Sequence, residues 1–336
     1  MGIFSSDTQM TRRTALSVLG SSALGVAGMS IPSLVAEEDE LRKLLPNFTE
    51  QSRSILQRVM QQSGYSGQIP ASDATAIAQH ENVSIERLIV KLIRLAQRYS
   101  RAPISNFYVG VVVRGASGDL YTGANIEIPG QCLGFAVHAE QSALSNAYMH
   151  GERGVSALAV GGAPCGHCRQ FIEEMSPDGE MLILTPDKPP MKLSVILPSP
   201  FGPAALGMKD GAFPVRETNL ALARPSSDEL AAAALDAARR SYSPYSKSPA
   251  GVAIRAGRGR IYRGSYIENV AFNPSLSPLQ TALVALIAGR EAYSDISACA
   301  LVELESSKIS QVAVTETVLR AISPSSNLDV AHARVV

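Results

Sequence analysis

Residues 109–127 read VGVVVRGASGDLYTGANIE, and the fold is best read outward from them. Val109–Val113 is rich in β-branched valine, which favours a strand. Gly115 and Gly118 bound a turn, and Asp119–Gly123 returns as a second strand. The stretch therefore predicts a β-hairpin.

Helices and strands alternate on both sides of this hairpin. The predicted elements are a helix over Ser84–Tyr99 with Ser84 as its N-cap, a helix over His138–His150, a strand over Leu158–Val160, a helix over Cys165–Met175 and a strand over Met181–Thr185. This order indicates an α/β sandwich whose sheet is at least partly parallel.

The hairpin pattern recurs in the second half of the chain. Val109–Arg114 is echoed by Val252–Arg255, and Tyr121–Glu127 is echoed by Tyr262–Glu268. Since order and spacing agree, the chain predicts a tandem duplication.

The second copy lacks three features of the first copy: His138, Glu140 and the Cys165-x-x-Cys168 pair. Gln141-Ser-Ala-Leu144 is echoed by Gln280-Thr-Ala-Leu283, but Ser277 and Leu279 stand where the first copy has His138 and Glu140. No Cys-x-x-Cys follows in the second copy. We therefore expect the second half to share the fold and to lack the chemistry.

Five segments are predicted along the chain: residues 1–40, a twin-arginine-type signal or a disordered extension; 41–98, a small helical N-terminal segment; 99–190, the catalytic domain; 191–226, a proline-rich connector; and 227–336, a degenerate, non-catalytic domain. Arg12-Arg13 precede an uncharged run from Thr14 to Ala36, which favours export to the periplasm, whereas a plain extension would leave the protein in the cytoplasm. Glycine, serine and proline dilute this run, so we expect no stable membrane anchor.

The composition argues against several classes of protein: disordered chains, strongly basic nucleic-acid binders and disulfide-rich scaffolds. The chain has 336 residues, of which 46% are hydrophobic and 18% charged, as expected for a folded protein of about two domains. Lys+Arg and Asp+Glu both number 30, so net charge gives no global attraction to nucleic acid. Four cysteines are too few for a disulfide scaffold in a chain of this length.

The chemistry concentrates in His138-Ala-Glu140 and Pro164-Cys165-Gly-His-Cys168. His138, Cys165 and Cys168 are the N and S ligands that Zn²⁺ favours, and three protein ligands with an open fourth position are typical of a catalytic zinc. Glu140 is placed to take a proton from water bound to that ion. Because only the first half keeps these ligands, the sequence predicts one zinc per chain.

Other interpretations of these residues remain. Glu140 could instead close the site as a fourth ligand or lie on the surface, and Cys165-Gly-His-Cys168 alone would also suit a thioredoxin-like redox motif. His167 has no predicted ligand role, and Arg169 is a candidate to hydrogen-bond a thiolate.

H-x-E followed by P-C-x-x-C is the signature of the zinc deaminases. With segments such as Gly123-Ala-Asn125-Ile-Glu127, Phe201-Gly-Pro203 and Glu268-Asn-Val-Ala-Phe272, the chain resembles the two-domain, homodimeric zinc-dependent cytidine deaminases from about Leu41 onward. The resemblance implies a three-layer α/β/α sandwich with a mixed sheet, duplicated in tandem.

The resemblance also assigns roles. Glu140 would shuttle the proton, Asn125 and Glu127 would bind the ribose 3′-hydroxyl, and Phe107 would pack against the base. Phe201, Ala271 and Phe272 would line the active site of the neighbouring subunit in a homodimer. Gly162 stands where relatives carry a bulky aromatic residue, which would loosen the pocket wall.

The expected reaction is hydrolytic deamination of cytidine and deoxycytidine to uridine and deoxyuridine, with release of ammonia. A deaminase acting on RNA or DNA would need a basic channel and stacking aromatics, and neither is evident in the sequence. A zinc- or nucleoside-binding protein without activity is the remaining alternative, and the intact Glu140 argues against it.

Overall fold

Two mixed β-sheets, one in each half of the chain, form the framework of the computed structural model. The structure describes residues 43–257 and 259–336, all within one compact unit. The predicted signal or extension, residues 1–40, lies outside the described residues. None of the helices in the described part of the chain is long and apolar enough to cross a membrane.

The helices are α1 (Glu50–Gln61), α2 (Ala71–Glu81), α3 (Ile85–Gln97), α4 (Ala139–Met149), α5 (Gly166–Met175), α6 (Leu193–Ile196), α7 (Glu229–Arg239), α8 (Pro278–Ala288) and α9 (Val312–Ile322). The strands are β1 (Gln68–Ile69), β2 (Gly110–Gly115), β3 (Leu120–Ala124), β4 (Val155–Val160), β5 (Leu182–Leu184), β6 (Met191–Lys192), β7 (Leu220–Leu222), β8 (Ala250–Ala256), β9 (Arg260–Ser265), β10 (Ile296–Leu304) and β11 (Leu328–Val335). Short 3-10 turns occur at Leu45–Asn47, Leu133–Phe135, Pro203–Leu206 and Tyr293–Asp295.

The predicted hairpin is confirmed as β2 and β3, which pair antiparallel with Val111 opposite Gly123. The predicted helices and strands that follow it are also present, with ends shifted by a few residues. Val111, Val112 and Val113 are all fully buried. An uninterrupted valine run occurs here because both faces of the strand are covered.

The duplication is visible in strand order. The first sheet runs β1-β3-β2-β4-β5-β6 and the second runs β7-β11-β10-β8-β9. In each, a hairpin lies beside an antiparallel strand, which then pairs in parallel with the next one: β4 with β5, and β10 with β11. The mixed, tandemly duplicated sheets predicted from the sequence are therefore confirmed.

Two glycines place helices on opposite faces of the first sheet. A Cβ on Gly110 would lie 2.4 Å from the backbone N of Gln97 in α3, and one on Gly123 would lie 2.1 Å from the N of Ala143 in α4. Gly123 pairs with Val111, the neighbour of Gly110, and successive residues of a strand point to opposite faces. The sheet is thus the middle of three layers.

The second sheet repeats this arrangement. A Cβ on Gly251 would lie 2.2 Å from the N of Ala238 in α7, and one on Gly264 would lie 2.2 Å from the N of Ala282 in α8. Gly264 pairs with Val252. Small residues on both sides of each contact let helix and strand backbones approach closely, which explains why alanine and glycine recur there.

The N-terminal segment supplies a helix that covers one face of the first sheet and a short strand at the edge of that sheet. Ser84 caps α3 by accepting from the Arg87 N–H, as predicted. The apolar face of α3 packs on β2 and β4, so this helix covers the first sheet as α7 covers the second. Strand β1 adds to the sheet edge by pairing with β3. The proline-rich connector contains β6, α6 and β7, and β7 joins the edge of the second sheet.

The two halves meet through equivalent helices. Helix α4 contacts α8 and β9, and α8 in turn contacts β3. This reciprocity indicates a pseudo-two-fold relation between the halves. The helix that begins at the predicted histidine ligand therefore packs directly against its counterpart in the other half.

We expect Gly264→Ala to lower the free energy of unfolding by about 1–3 kcal/mol or more, because the new methyl group would overlap the backbone of α8. Gly162→Ala is the matched control, since a Cβ there meets nothing within 4 Å. Urea unfolding of both variants measures the effect. Equal stability of Gly264→Ala and the parent would contradict the close helix–strand contact.

Candidate active site

Three predicted metal ligands converge in the first half. The ligand atoms of His138, Cys165 and Cys168 all lie within 4.8 Å of one another. His138 Nδ1 lies 3.5 Å from Cys165 Sγ and 3.3 Å from Cys168 Sγ. Residues 27 and 30 positions apart in sequence are thereby brought to one point.

Helix starts place these side chains. His138 is the N-cap of α4, and Cys165 is the N-cap of α5, with Cys168 in the first turn. Helices α4 and α5 contact each other, so their N-termini lie side by side. The Cys168 N–H approaches Cys165 Sγ at 3.5 Å. Free N–H groups and the helix dipole favour a thiolate at such a position.

The spacing of the three ligand atoms fits zinc. Zinc bonds are about 2.3 Å long to sulfur and about 2.0–2.1 Å long to nitrogen. At a tetrahedral angle, a nitrogen and a sulfur bound to the same ion lie about 3.5 Å apart. The observed Nδ1–Sγ separations of 3.3 and 3.5 Å match this value. Nδ1 is therefore the ring nitrogen that would hold the ion.

The charge of the donor set also favours a cation. Burial, followed by the nearby Glu140 and Cys165, raises the pKa of the Cys168 thiol. A thiolate at this position is therefore unfavourable without a compensating positive charge, and coordination to a divalent metal supplies that charge. Burial and then the neighbouring His138 lower the pKa of His167, whose ring centroid lies 5.2 Å from that of His138.

Glu140 lies in the first turn of α4 and is buried. Its carboxylate interacts with Cys168 and lines the same cavity as His138 and Cys165. Among the described residues it is not part of the cluster of ligand atoms. A carboxylate beside the metal position but outside the ligand cluster can exchange protons with a bound water or substrate.

A cavity of about 1020 Å³ opens in front of this cluster. Among the residues on its wall are Phe107, Asn125, Glu127, Glu140 and Gly162. A Cβ at Gly162 would meet nothing within 4 Å, so the wall is open there. The cavity is large enough for a nucleoside-sized ligand.

Glu127 is held by the turn that precedes the hairpin. Its Oε2 accepts from the N–H groups of Ile104 (2.7 Å) and Ser105 (3.0 Å), and its Oε1 accepts from the Ser105 hydroxyl. Burial raises the pKa of this carboxyl, but the Ser105 and Ile104 hydrogen bonds outweigh it and hold the pKa below its ordinary value. The group is therefore an ionised acceptor, and Oε1 retains one free acceptor position.

Asn125 is similarly fixed. Its Oδ1 accepts from the Ser100 hydroxyl (2.6 Å) and the Val109 N–H (2.9 Å), and its Nδ2 donates to the Phe107 carbonyl (2.9 Å). One N–H of Nδ2 remains for a ligand. Asn125 and Glu127 thus offer a donor and an acceptor to the same cavity.

Of the remaining predicted site residues, one lies on the cavity wall and three lie elsewhere. Phe107 is on the cavity wall but 72% exposed, so it is not a core residue. Phe201, Ala271 and Phe272 do not line the cavity of their own chain. Phe201 and Phe272 are 51% and 67% exposed. Gln170 of α5 joins their segments, because its Nε2 donates to the Phe201 carbonyl and approaches Asn269 Oδ1.

The second half keeps the framework of the site without its ligands. Ser277 is the N-cap residue of α8, the position that His138 holds in α4. Glu268 accepts from the N–H groups of Tyr245 (2.8 Å) and Ser246 (3.2 Å), repeating the anchoring of Glu127. Both carboxylates therefore anchor a turn, which is a structural function. Glu127 also lines the cavity in front of the ligand cluster, whereas Glu268 does not.

Near the site, Arg169 has other partners than predicted, and Gln141 has contacts that the sequence analysis did not predict. Arg169 donates to the carbonyls of Pro164 (2.8 Å) and Ile196 (2.9 Å), so it braces the loop before Cys165 through backbone groups. Gln141 was not predicted to have a role, yet it is buried and hydrogen-bonded to the His138 backbone. The recurrence of glutamine at the equivalent position, Gln280, is the feature of the sequence that could have indicated this role.

Known proteins match both halves. Two family models of the cytidine and deoxycytidylate deaminase zinc-binding region match residues 83–184 and 193–316. A cytidine deaminase of Vibrio vulnificus is 46% identical over 238 residues, covering 71% of this chain and 80% of the relative. One from Aliivibrio fischeri is 39% identical over 294 residues, covering 88% and 98%. A solved Mycobacterium tuberculosis cytidine deaminase is 29% identical with a TM-score of 0.32, covering 34% of this chain and 96% of its own.

We expect one zinc ion per chain, lost in Cys165→Ala and retained in Cys132→Ala. Both cysteines are exposed, but only Cys165 belongs to the ligand cluster. Metal analysis of the purified variants by mass spectrometry measures this difference. Two tightly held zinc ions per chain, or full zinc content in Cys165→Ala, would contradict the assignment.

Proposed function

This chain belongs to the cytidine and deoxycytidylate deaminase family and is a zinc-dependent cytidine deaminase; we propose that it acts on free nucleosides at a site completed by a second copy of the chain. The reaction adds water to C4 of cytidine or deoxycytidine and releases ammonia, giving uridine or deoxyuridine, a step of pyrimidine salvage. The observation that carries this function is the cluster of His138, Cys165 and Cys168 with Glu140 beside it.

The three ligands and Glu140 have different roles. His138, Cys165 and Cys168 would hold the zinc ion. When bound, zinc lowers the pKa of a coordinated water to about 7. Glu140 takes the proton of the attacking water, passes it to N3 of the base, and later delivers a proton to the departing ammonia. Its burial beside the cavity keeps these transfers away from bulk water.

A free nucleoside fits the cavity better than a polynucleotide. Lys91 and Arg94 are the basic residues on the wall, and both belong to α3. Lys91 is already paired with Glu81. The chain has no tryptophan and zero net charge. A continuous basic channel with stacking aromatics, which single-stranded nucleic acid requires, is not formed by these residues.

Replacing Glu140 tests the proton-transfer role. We expect Glu140→Gln to retain zinc, because the three ligands are intact. Its turnover number for cytidine should fall by about 10²–10⁴-fold or more. Ammonia release from cytidine, with a cytosine-containing single-stranded DNA as the alternative substrate, gives the rates. Near-normal kcat in the zinc-loaded variant would refute the role of Glu140, and preferential turnover of the DNA would refute the free-nucleoside proposal.

The sugar is proposed to bind through the remaining acceptor of Glu127 and the remaining N–H of Asn125. Replacing either residue would also disturb the turn they anchor, so changing the substrate is the cleaner test. We expect 3′-deoxycytidine to have a markedly lower kcat/KM than cytidine, because its binding leaves a desolvated carboxylate lone pair without a donor. Equal kcat/KM for the two nucleosides would remove Glu127 from the sugar site.

The homodimer proposal rests on exposed aromatic residues. Phe201 and Phe272 are exposed on two segments outside the cavity of their own chain that Gln170 connects, and neighbouring exposed apolar side chains mark interaction surfaces. Phe272 also has a φ of 63°, a conformation that is costly for a bulky residue and persists where its surroundings impose it. A second copy of the chain would bury these rings near its own cavity and exclude water there.

Subunit mixing tests this composite site. We expect Glu140→Ala and Phe201→Ala proteins to be poorly active alone and to regain about a quarter of wild-type activity after exchange. The reason is that half of randomly exchanged dimers are mixed and each mixed dimer holds one complete site. Glu140→Ala exchanged with itself is the control. A fully active monomer by light scattering, or no recovery from folded, exchanged subunits, would contradict the proposal.

A further inference from the structure

Among the described residues, the second half contains no cluster of metal ligands, yet it bonds directly to the helix that begins at His138. Gln141 of α4 is only 1% exposed. Its Oε1 accepts from the His138 N–H at 3.1 Å, and its Nε2 donates to the Pro274 carbonyl of the second half at 2.9 Å. One side chain therefore connects the backbone of the histidine ligand to the opposite half.

An equivalent bridge crosses the boundary in the other direction. Gln280 of α8 accepts from the Ser277 N–H at 2.8 Å and donates to the Phe135 carbonyl of the first half at 3.1 Å. The two glutamines make the same pair of bonds from equivalent positions. Only the bridge through Gln141 begins at a residue that supplies a ligand atom.

The cysteine helix is held by the second half as well. Asn269 Nδ2 donates to the Gln170 carbonyl of α5 at 3.0 Å. The Glu174 carboxylate accepts from the hydroxyls of Tyr242 (2.7 Å) and Tyr245 (2.6 Å) and from the Val270 N–H (2.8 Å). Asn269 and Glu174 are fully buried.

These bonds constrain the separation of the ligand helices. The start of α4 and the body of α5 are each tied to the second half, so neither can shift without breaking buried hydrogen bonds. A metal site tolerates errors of about 0.2 Å in ligand distance, and groups that orient its ligands affect metal affinity strongly.

We propose that the second half positions the zinc ligands of the first half, and that Gln141 is the positioning residue for His138. The ligand-free domain then has a defined role, because it sets the distance between the imidazole and the two thiolates. This proposal concerns metal retention and does not depend on which nucleoside is the substrate.

Comparing Gln141→Met with Gln280→Met tests the proposal. Both changes keep the length of the side chain, and each removes one bond to the N-cap N–H of its own helix and one bond across the boundary. The zinc-loaded proteins are mixed with a chromophoric chelator, and the rate of zinc release is recorded together with the melting temperature. We expect similar losses in melting temperature, but zinc release from Gln141→Met about 10–100-fold faster than from Gln280→Met.

A ratio of release rates below about tenfold between the two variants would overturn the assignment of Gln141 as the positioning residue, and wild-type release rates from both variants would overturn the role of the second half. If Gln141→Met does not fold, Gln141→Glu and Gln280→Glu replace the pair. Each keeps an oxygen acceptor for the helix N-terminus and loses the amide donor across the boundary. The same order of zinc release is expected, and equal rates would again overturn the proposal.

Discussion

The approach of two helix N-termini is the contact on which this molecule depends. It places one imidazole nitrogen 3.3 and 3.5 Å from two cysteine sulfurs, with a buried glutamate alongside. Two thiolates and a carboxylate in so small a volume are unfavourable unless a cation joins them, and three soft ligands with an open fourth position suit a catalytic zinc. The neighbouring layers must therefore hold the starts of α4 and α5 at a fixed separation, so that the three donor atoms can reach one ion.

The sheets provide that rigidity through close backbone contacts. Gly123 lets α4 lie against β3, and Gly264 does the same for α8 and β9. Because the two helices also pack against each other, the positions of both sheets are coupled through a continuous interior. A side chain at either glycine would push a helix away from its strand, so the position of α4 depends on residues that do not line the cavity.

Duplication shows which features serve the fold and which serve the chemistry. Glu127 and Glu268 anchor equivalent turns, and Gln141 and Gln280 bridge the halves in equivalent ways. These features persist in the half that lacks ligands, because the fold needs them there as well. The ligands and Glu140 occur only in the first half. The second half is then free to serve as the support that we propose for the ligand helices, and it carries the exposed Phe272.

Local patterns in the sequence were enough to predict the hairpin, the helices that begin at His138 and Cys165, the ligand set and the loss of the second site. Strand and helix periods, N-caps and the Cys-x-x-Cys spacing are set by residues close together in the chain, and the H-x-E signature added His138 to the two cysteines. The tertiary structure decided the partners: α3 covers the first sheet, Arg169 bonds to carbonyls, and Gln141 reaches Pro274, which is 133 residues away. Such contacts depend on how distant elements pack, because the residue that meets a buried polar group is chosen by the geometry of the assembled layers.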